Sequence, residues 1–320
     1  MKGGAGHARP PVDARWTFCG FKAVVLENAD LRLVVVPELG GKILQVTSKR
    51  EDVDWLWNNP RLTPRAAPYG ADFDNYFVGG WDHPFPTLEA CDVAGERLPY
   101  VGELWSVPWR WGIPLGQRGG ATLEMGVAAT ILPATLSCVI ELGDGPSFRM
   151  SYRLESVGTT PFQFTWGLHP CFAVDPDTQF EIPAGRARVV QSPNGGVGPE
   201  GAAYAWPELN VDSEAWNVSE ARSRTANVYG LHELELGEGW FAVVRSGHGL
   251  KLRIDFPLEL FPVIYLWMVY GGWRGIYHAA IEPWTGGGTS LAKAIEAGAA
   301  LTLEPGETLE AAIDVSICEG

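Results

Sequence analysis

The sequence predicts an all-β protein, a large antiparallel β-sandwich. Three observations lead there. Two runs alternate strictly between apolar and polar residues: Phe148, Met150, Tyr152 and Leu154 against Arg149, Ser151, Arg153 and Glu155, and Leu250, Leu252, Ile254 and Phe256 against Lys251, Arg253 and Asp255. A period of two is the mark of a strand with one buried face. Turn residues punctuate the chain throughout, with 39 Gly and 24 Pro in 320 residues. No segment shows three helical turns with good caps, so the strand–helix alternation of an α/β fold is missing.

In chain order, further strands are expected at Phe21–Glu27, Leu31–Pro37, Lys42–Ser48, Ala121–Thr130, Thr135–Leu142, Pro161–His169, Phe241–Arg245, Val263–Tyr270, Tyr277–Pro283, Ala300–Leu303 and Glu310–Ile317. Asn-Ala-Asp, Gly-Gly, Gly-Asp-Gly and Pro-Gly separate them. Ser213–Ser223 and Ser290–Ala297 have room for short helices. Pro183–Glu208, rich in Gly, Ala and Pro, is expected as the longest loop. Residues 1–15 read as a loose N-terminal arm and residues 16–320 as one domain. No fixed-period repeat suggests a propeller.

Charge narrows the function. Lys and Arg number 24 against 38 Asp and Glu, a formal charge of −14. A nucleic-acid partner needs a basic field, and so does a polybasic membrane-surface protein. No run reaches the 18 apolar residues of a membrane span, and residues 1–13 lack the apolar stretch of a signal peptide. A cytoplasmic protein is expected, as monomer or homodimer. Cys19, Cys91, Cys138, Cys171 and Cys318 are odd in number and form no CxxC, which reads as reduced thiols.

The common catalytic motifs GxGxxG, P-loop, HExxH and GxSxG are absent. The six histidines do not cluster at ligand spacing, so no metal is expected. Two strands are more informative. In Pro161–His169, Gln163, Thr165 and His169 share a polar face. In Tyr277–Pro283, His278, Ala280 and Glu282 share one face. Small and polar residues on a strand face suit a surface that holds a ligand, as they suit an ordinary solvated face. A third segment, Gly79-Gly-Trp-Asp-His-Pro-Phe-Pro-Thr87, leads to Gly102-Glu-Leu-Trp-Ser-Val-Pro-Trp109. It places Trp81, Asp82, His83, Glu103 and Trp105 in loops, where they either line a site or anchor loop backbone.

Four stretches together resemble the aldose 1-epimerase (galactose mutarotase-like) family. They are Leu26–Ile43 with its Gly-Gly turn, the Gly79–Trp109 segment, Thr165-Trp-Gly-Leu-His-Pro-Cys-Phe172, and Ala280-Ile-Glu-Pro-Trp-Thr-Gly286 with Leu303-Glu-Pro-Gly-Glu307. The resemblance implies a β-supersandwich and an isomerase that interconverts sugar anomers without a cofactor. It implies His169 as the acid that protonates the ring oxygen and Glu282 as the base that takes the anomeric hydroxyl proton. A small-molecule aldose is the implied partner. Trp81, Asp82, His83, Glu103, Trp105, Trp267 and Arg274 are the candidate substrate-binding residues, with Trp273 and Trp284 as further sugar-stacking surfaces. The alternative is a non-catalytic carbohydrate-binding protein on the same fold.

The sequence departs from the family at two points. Tyr100-Val101 precede Gly102 where the family carries a His, leaving His83 as the candidate replacement. Asp72–Phe77 lacks the family's Arg, leaving Arg274 as its candidate.

Overall fold

A computed structural model describes residues 12–114, 120–193, 196–211 and 214–320. Among these residues the strands form two large sheets of twelve and eight members, with three small two-stranded pairs. All strand-to-strand ladders are antiparallel, as alternating, half-buried strands permit.

The smaller sheet centres on Thr308–Glu319, flanked by Ser147–Ser156 and Leu250–Asp255. The larger sheet runs from Val12–Phe18 through Lys42–Ser48, Trp81–Asp82, His169–Phe172, Tyr277–Trp284, Val263–Tyr270 and Val228–Leu236 to Ala184–Gln191 and Ala203–Ala205. Facing residues of both sheets fill one core. Cys138, Ile140, Met150, Ile254 and Ile313 come from the smaller sheet, and Leu33, Ile43, Leu266, Met268 and Ile281 from the larger. Two sheets sharing one inner core make a β-sandwich.

Strand alternation then decides what lies on the other face of the larger sheet. Where Ile264, Leu266, Met268 and Tyr270 point to the core, Tyr265, Trp267 and Val269 point away. Where Ala279 and Ile281 point to the core, His278, Ala280, Glu282 and Trp284 share the outer face. This outer face is not solvated. An irregular segment from Asn59 to Val78, broken only by a single 3-10 turn at Phe73–Asn75, lies across it. Phe73 and Phe77 from that segment pack into a second apolar cluster with Trp57, Val101, Trp105, Cys171, Val269 and Ala280.

Several expectations need correction. Residues 12–15 belong to an edge strand paired with Phe21–Glu27, while residues 1–11 of the expected arm lie outside the described residues. Pro161–His169 is two elements: Phe162–Phe164 pairs with Leu301–Leu303, and His169–Phe172 enters the larger sheet. Thr165, Trp166 and Leu168 between them are buried, so the polar face drawn through this run does not exist. The expected loop Pro183–Glu208 contains the strands Ala184–Gln191 and Ala203–Ala205. The expected Ser213–Ser223 helix is replaced by the strand Glu214–Asn217; Ser213 itself lies outside the described residues. The other short helix is present at Leu291–Glu296, with the Ser290 side chain capping its first turn. No described helix is long and apolar enough to cross a membrane.

Candidate functional site

His169 and Glu282 come from neighbouring strands of the larger sheet. The Cys171↔Ala280 pairing sets the antiparallel register that brings the two side chains together on the outer face. His169 Nε2 lies 3.4 Å from Glu282 Oε1, and both side chains are almost wholly buried. That distance is longer than an ordinary hydrogen bond. Trp284 Nε1 donates to Glu282 Oε2 at 3.2 Å. Gly167 makes this possible: a Cβ there would lie 2.4 Å from the Trp284 ring.

The two groups open onto a recess also lined by Phe73, Leu88, Glu89, Tyr100, Val101, Gln191, Tyr229, Leu231 and Trp267. Trp267 stacks on His169, with ring centroids 5.9 Å apart and planes inclined by 26°. Glu89 accepts from Gln191 Nε2 at 3.0 Å and from Lys293 Nζ at 2.8 Å, and the Tyr229 hydroxyl donates to Gln191 at 3.4 Å. The recess measures about 30 Å³.

Burial sets the protonation of the pair. A charged group that loses its water favours its neutral form. Burial raises Glu282 to about 8, against a smaller opposing effect of the Trp284 donor. Burial lowers His169 to about 3, helped by the positive charge of Lys42. Burial therefore favours a protonated Glu282 beside a neutral imidazole. The roles implied by the resemblance need the opposite distribution.

The other candidate residues are placed as follows. Trp81 is in the inter-sheet core and does not reach the recess. Asp82 is buried and accepts from Lys42 Nζ, which also donates to the Gly79 carbonyl at 3.0 Å. His83 is buried between the Gly41 carbonyl, 3.3 Å from Nε2, and the Tyr152 hydroxyl, 3.2 Å from Nδ1. It therefore does not replace a histidine at position 101, and Val101 itself lines the recess. Glu103 is an anchor for loop backbone. Its carboxylate accepts from the Thr130 and Leu132 amides at 2.6 and 3.2 Å and from the Tyr69 hydroxyl at 3.0 Å. Trp105 packs edge-on against Phe73 at 5.0 Å and supports the recess from behind. Arg274 fastens the covering segment by donating to the Asp74 carbonyl and lies over Trp273, outside the recess. Trp284 lies against Gly167 and gives its N–H to Glu282, so it offers no open face.

Sequence reasoning missed Phe73, Leu88, Glu89, Tyr100, Gln191, Tyr229 and Leu231. Tyr229 and Leu231 sit on the unforeseen strand Val228–Leu236, and its Glu233-Leu-Glu-Leu236 alternation was the available signal. Gln191 ends a strand inside the expected loop. Phe73 and Leu88 lie in irregular backbone, where no periodicity points to them.

No family model matches the sequence, and no curated protein matches it. Solved structures do. The Slr1438 protein from Synechocystis sp. PCC 6803 is 19% identical, with a TM-score of 0.70, over 93% of this chain and 96% of that one. A galactose mutarotase-like protein from Clostridium acetobutylicum is 13% identical, with a TM-score of 0.69, over 97% of this chain and 98% of that one. Another, from Lactobacillus casei ATCC 334, is 15% identical, with a TM-score of 0.65, over 92% of this chain and all of that one. The described residues thus build the β-sandwich of the galactose mutarotase-like proteins, and this chain is a divergent example of that fold.

Proposed function

We propose that the protein interconverts the anomers of a neutral aldose, by proton transfer between the sugar and the His169–Glu282 pair. The observation that carries this is the pair itself: an imidazole and a carboxyl 3.4 Å apart, buried together at the end of an aromatic-walled recess. Mutarotation asks for that much. The ring oxygen must gain a proton while the anomeric hydroxyl loses one.

Glu282 gives its proton to the ring oxygen and the C1–O5 bond breaks. His169 Nε2 takes the proton of the C1 hydroxyl, and the open-chain aldehyde forms. The pair is then carboxylate and imidazolium, attracting one another in a medium of low polarity. Rotation about C1–C2 presents the other face of the carbonyl. Closure reverses both transfers and restores the starting pair. The steps need no cofactor. This assignment has Glu282 as acid and His169 as base on the opening stroke, the reverse of the roles the resemblance implies, because burial leaves the proton on Glu282.

A neutral substrate follows from the lining. Glu89 faces the recess and no Lys or Arg among the described residues lines it, so a phosphorylated sugar would find no cationic partner there. The stacked Trp267 and the rings of Phe73, Tyr100 and Tyr229 suit the C–H faces of a pyranose.

The second reading, a sugar-binding protein without turnover, is favoured by one observation: the small His169–Glu282 separation leaves no ring-sized gap between them. NMR exchange between anomers of a panel of free aldoses separates the readings. Accelerated exchange, lost in Glu282→Gln, supports the enzyme. Sugar binding without acceleration supports the second reading.

A further inference from the structure

Resting on the aldose-site reading, we infer that His278 is a sugar-binding residue, covered in the empty protein by Phe77 and reached only when Phe77 moves aside. His278 stands four residues before Glu282 on the same strand and the same outer face. It is completely buried, and neither ring nitrogen has a hydrogen-bond partner. The Ala279 backbone is near enough to favour the charged ring slightly but not in bonding geometry. Buried imidazoles normally satisfy at least one nitrogen, and leaving both bare is costly.

The surroundings show what covers it. Three aromatic rings enclose His278: Trp57 at 4.6 Å, Trp267 at 4.8 Å and Phe77 at 5.5 Å. Trp267 is also the ring that stacks on His169. Phe77 lies 6.1 Å from His169 and 5.4 Å from Trp267, so it occupies the space between the two histidines.

The recess cannot take a sugar as it stands. At about 30 Å³ it has room for one or two waters, where small-molecule sites span roughly 300 Å³ or more. Something must withdraw, and the Asn59–Val78 segment is the candidate. Its polar ties to the rest of the protein are few, Arg274 to the Asp74 carbonyl, Arg61 to the Arg274 carbonyl and the Tyr69 hydroxyl to Glu103, beside the apolar packing of Phe73 and Phe77. Of the other walls, Val228–Leu236, Val263–Tyr270 and Tyr277–Trp284 are held by long ladders, and the loop residues Glu89 and Val101 are pinned by backbone hydrogen bonds to Thr289 and Leu88, both 2.6 Å. Withdrawal of Phe77 would join the recess to the His278 nitrogens. A pyranose with its anomeric end at His169 and Glu282 would then lie along Trp267 and give a hydroxyl at its far end to His278, one nitrogen accepting and the other donating.

The test uses the full chain with imidazole-¹⁵N-labelled histidine and the panel of free aldoses. Long-range ¹H–¹⁵N spectra should show both His169 and His278 nitrogens shifting on addition of one or more sugars. A shift at His169 alone overturns the inference and leaves the aldose site standing. No shift at either histidine with any sugar overturns both. Two variants give a second readout. His278→Ala should raise KM, or Kd where there is no turnover, by about ten- to a hundredfold with kcat changed far less. His278→Gln should recover part of the loss, because its amide can both donate and accept. Phe77→Ala should tighten binding, since the covering ring is gone. Weaker binding in Phe77→Ala would make the ring a fixed wall of the site and overturn the inference.

Discussion

Lys42 and Asp82 form an ion pair on the same sheet face as His169. Both side chains are buried, and His169↔Asp82 is a backbone pair of the ladder. Burial pushes the Asp82 carboxyl above its usual range and the Lys42 charge opposes this, so Asp82 depends on its partner to stay ionised. Removing one partner of a buried pair leaves a lone charge, which costs about 3–5 kcal/mol. Lys42→Met should therefore lower the chemical-denaturation free energy by about that much. The double variant Lys42→Met with Asp82→Leu should recover most of the loss. Equal stability of the single and double variants would mean that the pair is not coupled.

The pH dependence of kcat/KM reports the ionisations of the free protein. With His169 near 3 and Glu282 near 8, the rate on a responsive aldose should hold across neutral pH and fall only above pH 8. A falling limb centred near the ordinary histidine value of about 6.5 would instead mean that burial does not control the pair.

Stability should show a different dependence. Between its unfolded value of 4.5 and its folded value near 8, Glu282 keeps a proton that the unfolded chain has lost. Stability attributable to it therefore falls as pH rises through that window, by up to a few kcal/mol. The buried His169, His232 and His278, near 3, and His83, near 4, act oppositely. The unfolded chain takes up their protons first, so stability also falls as pH drops below about 6.5. Denaturant midpoints should peak between pH 6 and 7. Glu282→Gln should flatten the alkaline side and steepen the acid side between about pH 4.5 and 6.5, where Glu282 opposes the histidines.

Glu103→Ala should act on stability alone. It strips acceptors from the amides of residues 130–132 and from Tyr69, at about 1–3 kcal/mol for buried groups left unpaired. Sugar affinity should stay within about twofold, because Glu103 does not line the recess. A tenfold loss of affinity would return Glu103 to the substrate-binding set.

The strands that alternate cleanly were legible in the sequence. Phe21–Glu27, Lys42–Ser48 and Val263–Tyr270 have the expected bounds. So was the shared face of His278, Ala280 and Glu282, because period-two geometry leaves no other arrangement. Pro161–His169 misled because apolar residues also alternate in buried irregular backbone, where Thr165 and Trp166 bond to Pro86 and Thr285 in place of a ladder partner. Asp82, His83 and Glu103 were recognised as polar residues in a Gly- and Pro-rich segment. Whether such a residue faces a ligand or its own backbone depends on partners far along the chain: Lys42, Tyr152 and Thr130. The recess residues Glu89, Gln191 and Tyr229 meet only in three dimensions, linked by side-chain hydrogen bonds.

Gly167 shows how far such dependence reaches. The space beside its α-carbon is filled by the Trp284 indole, which is the hydrogen-bond donor to Glu282. One methyl group at position 167 would displace that indole and take from Glu282 the contact that restrains its rise in pKa. The acidity of the carboxyl group is thus tuned in part by a side chain that is not there, at a residue with no polar chemistry of its own.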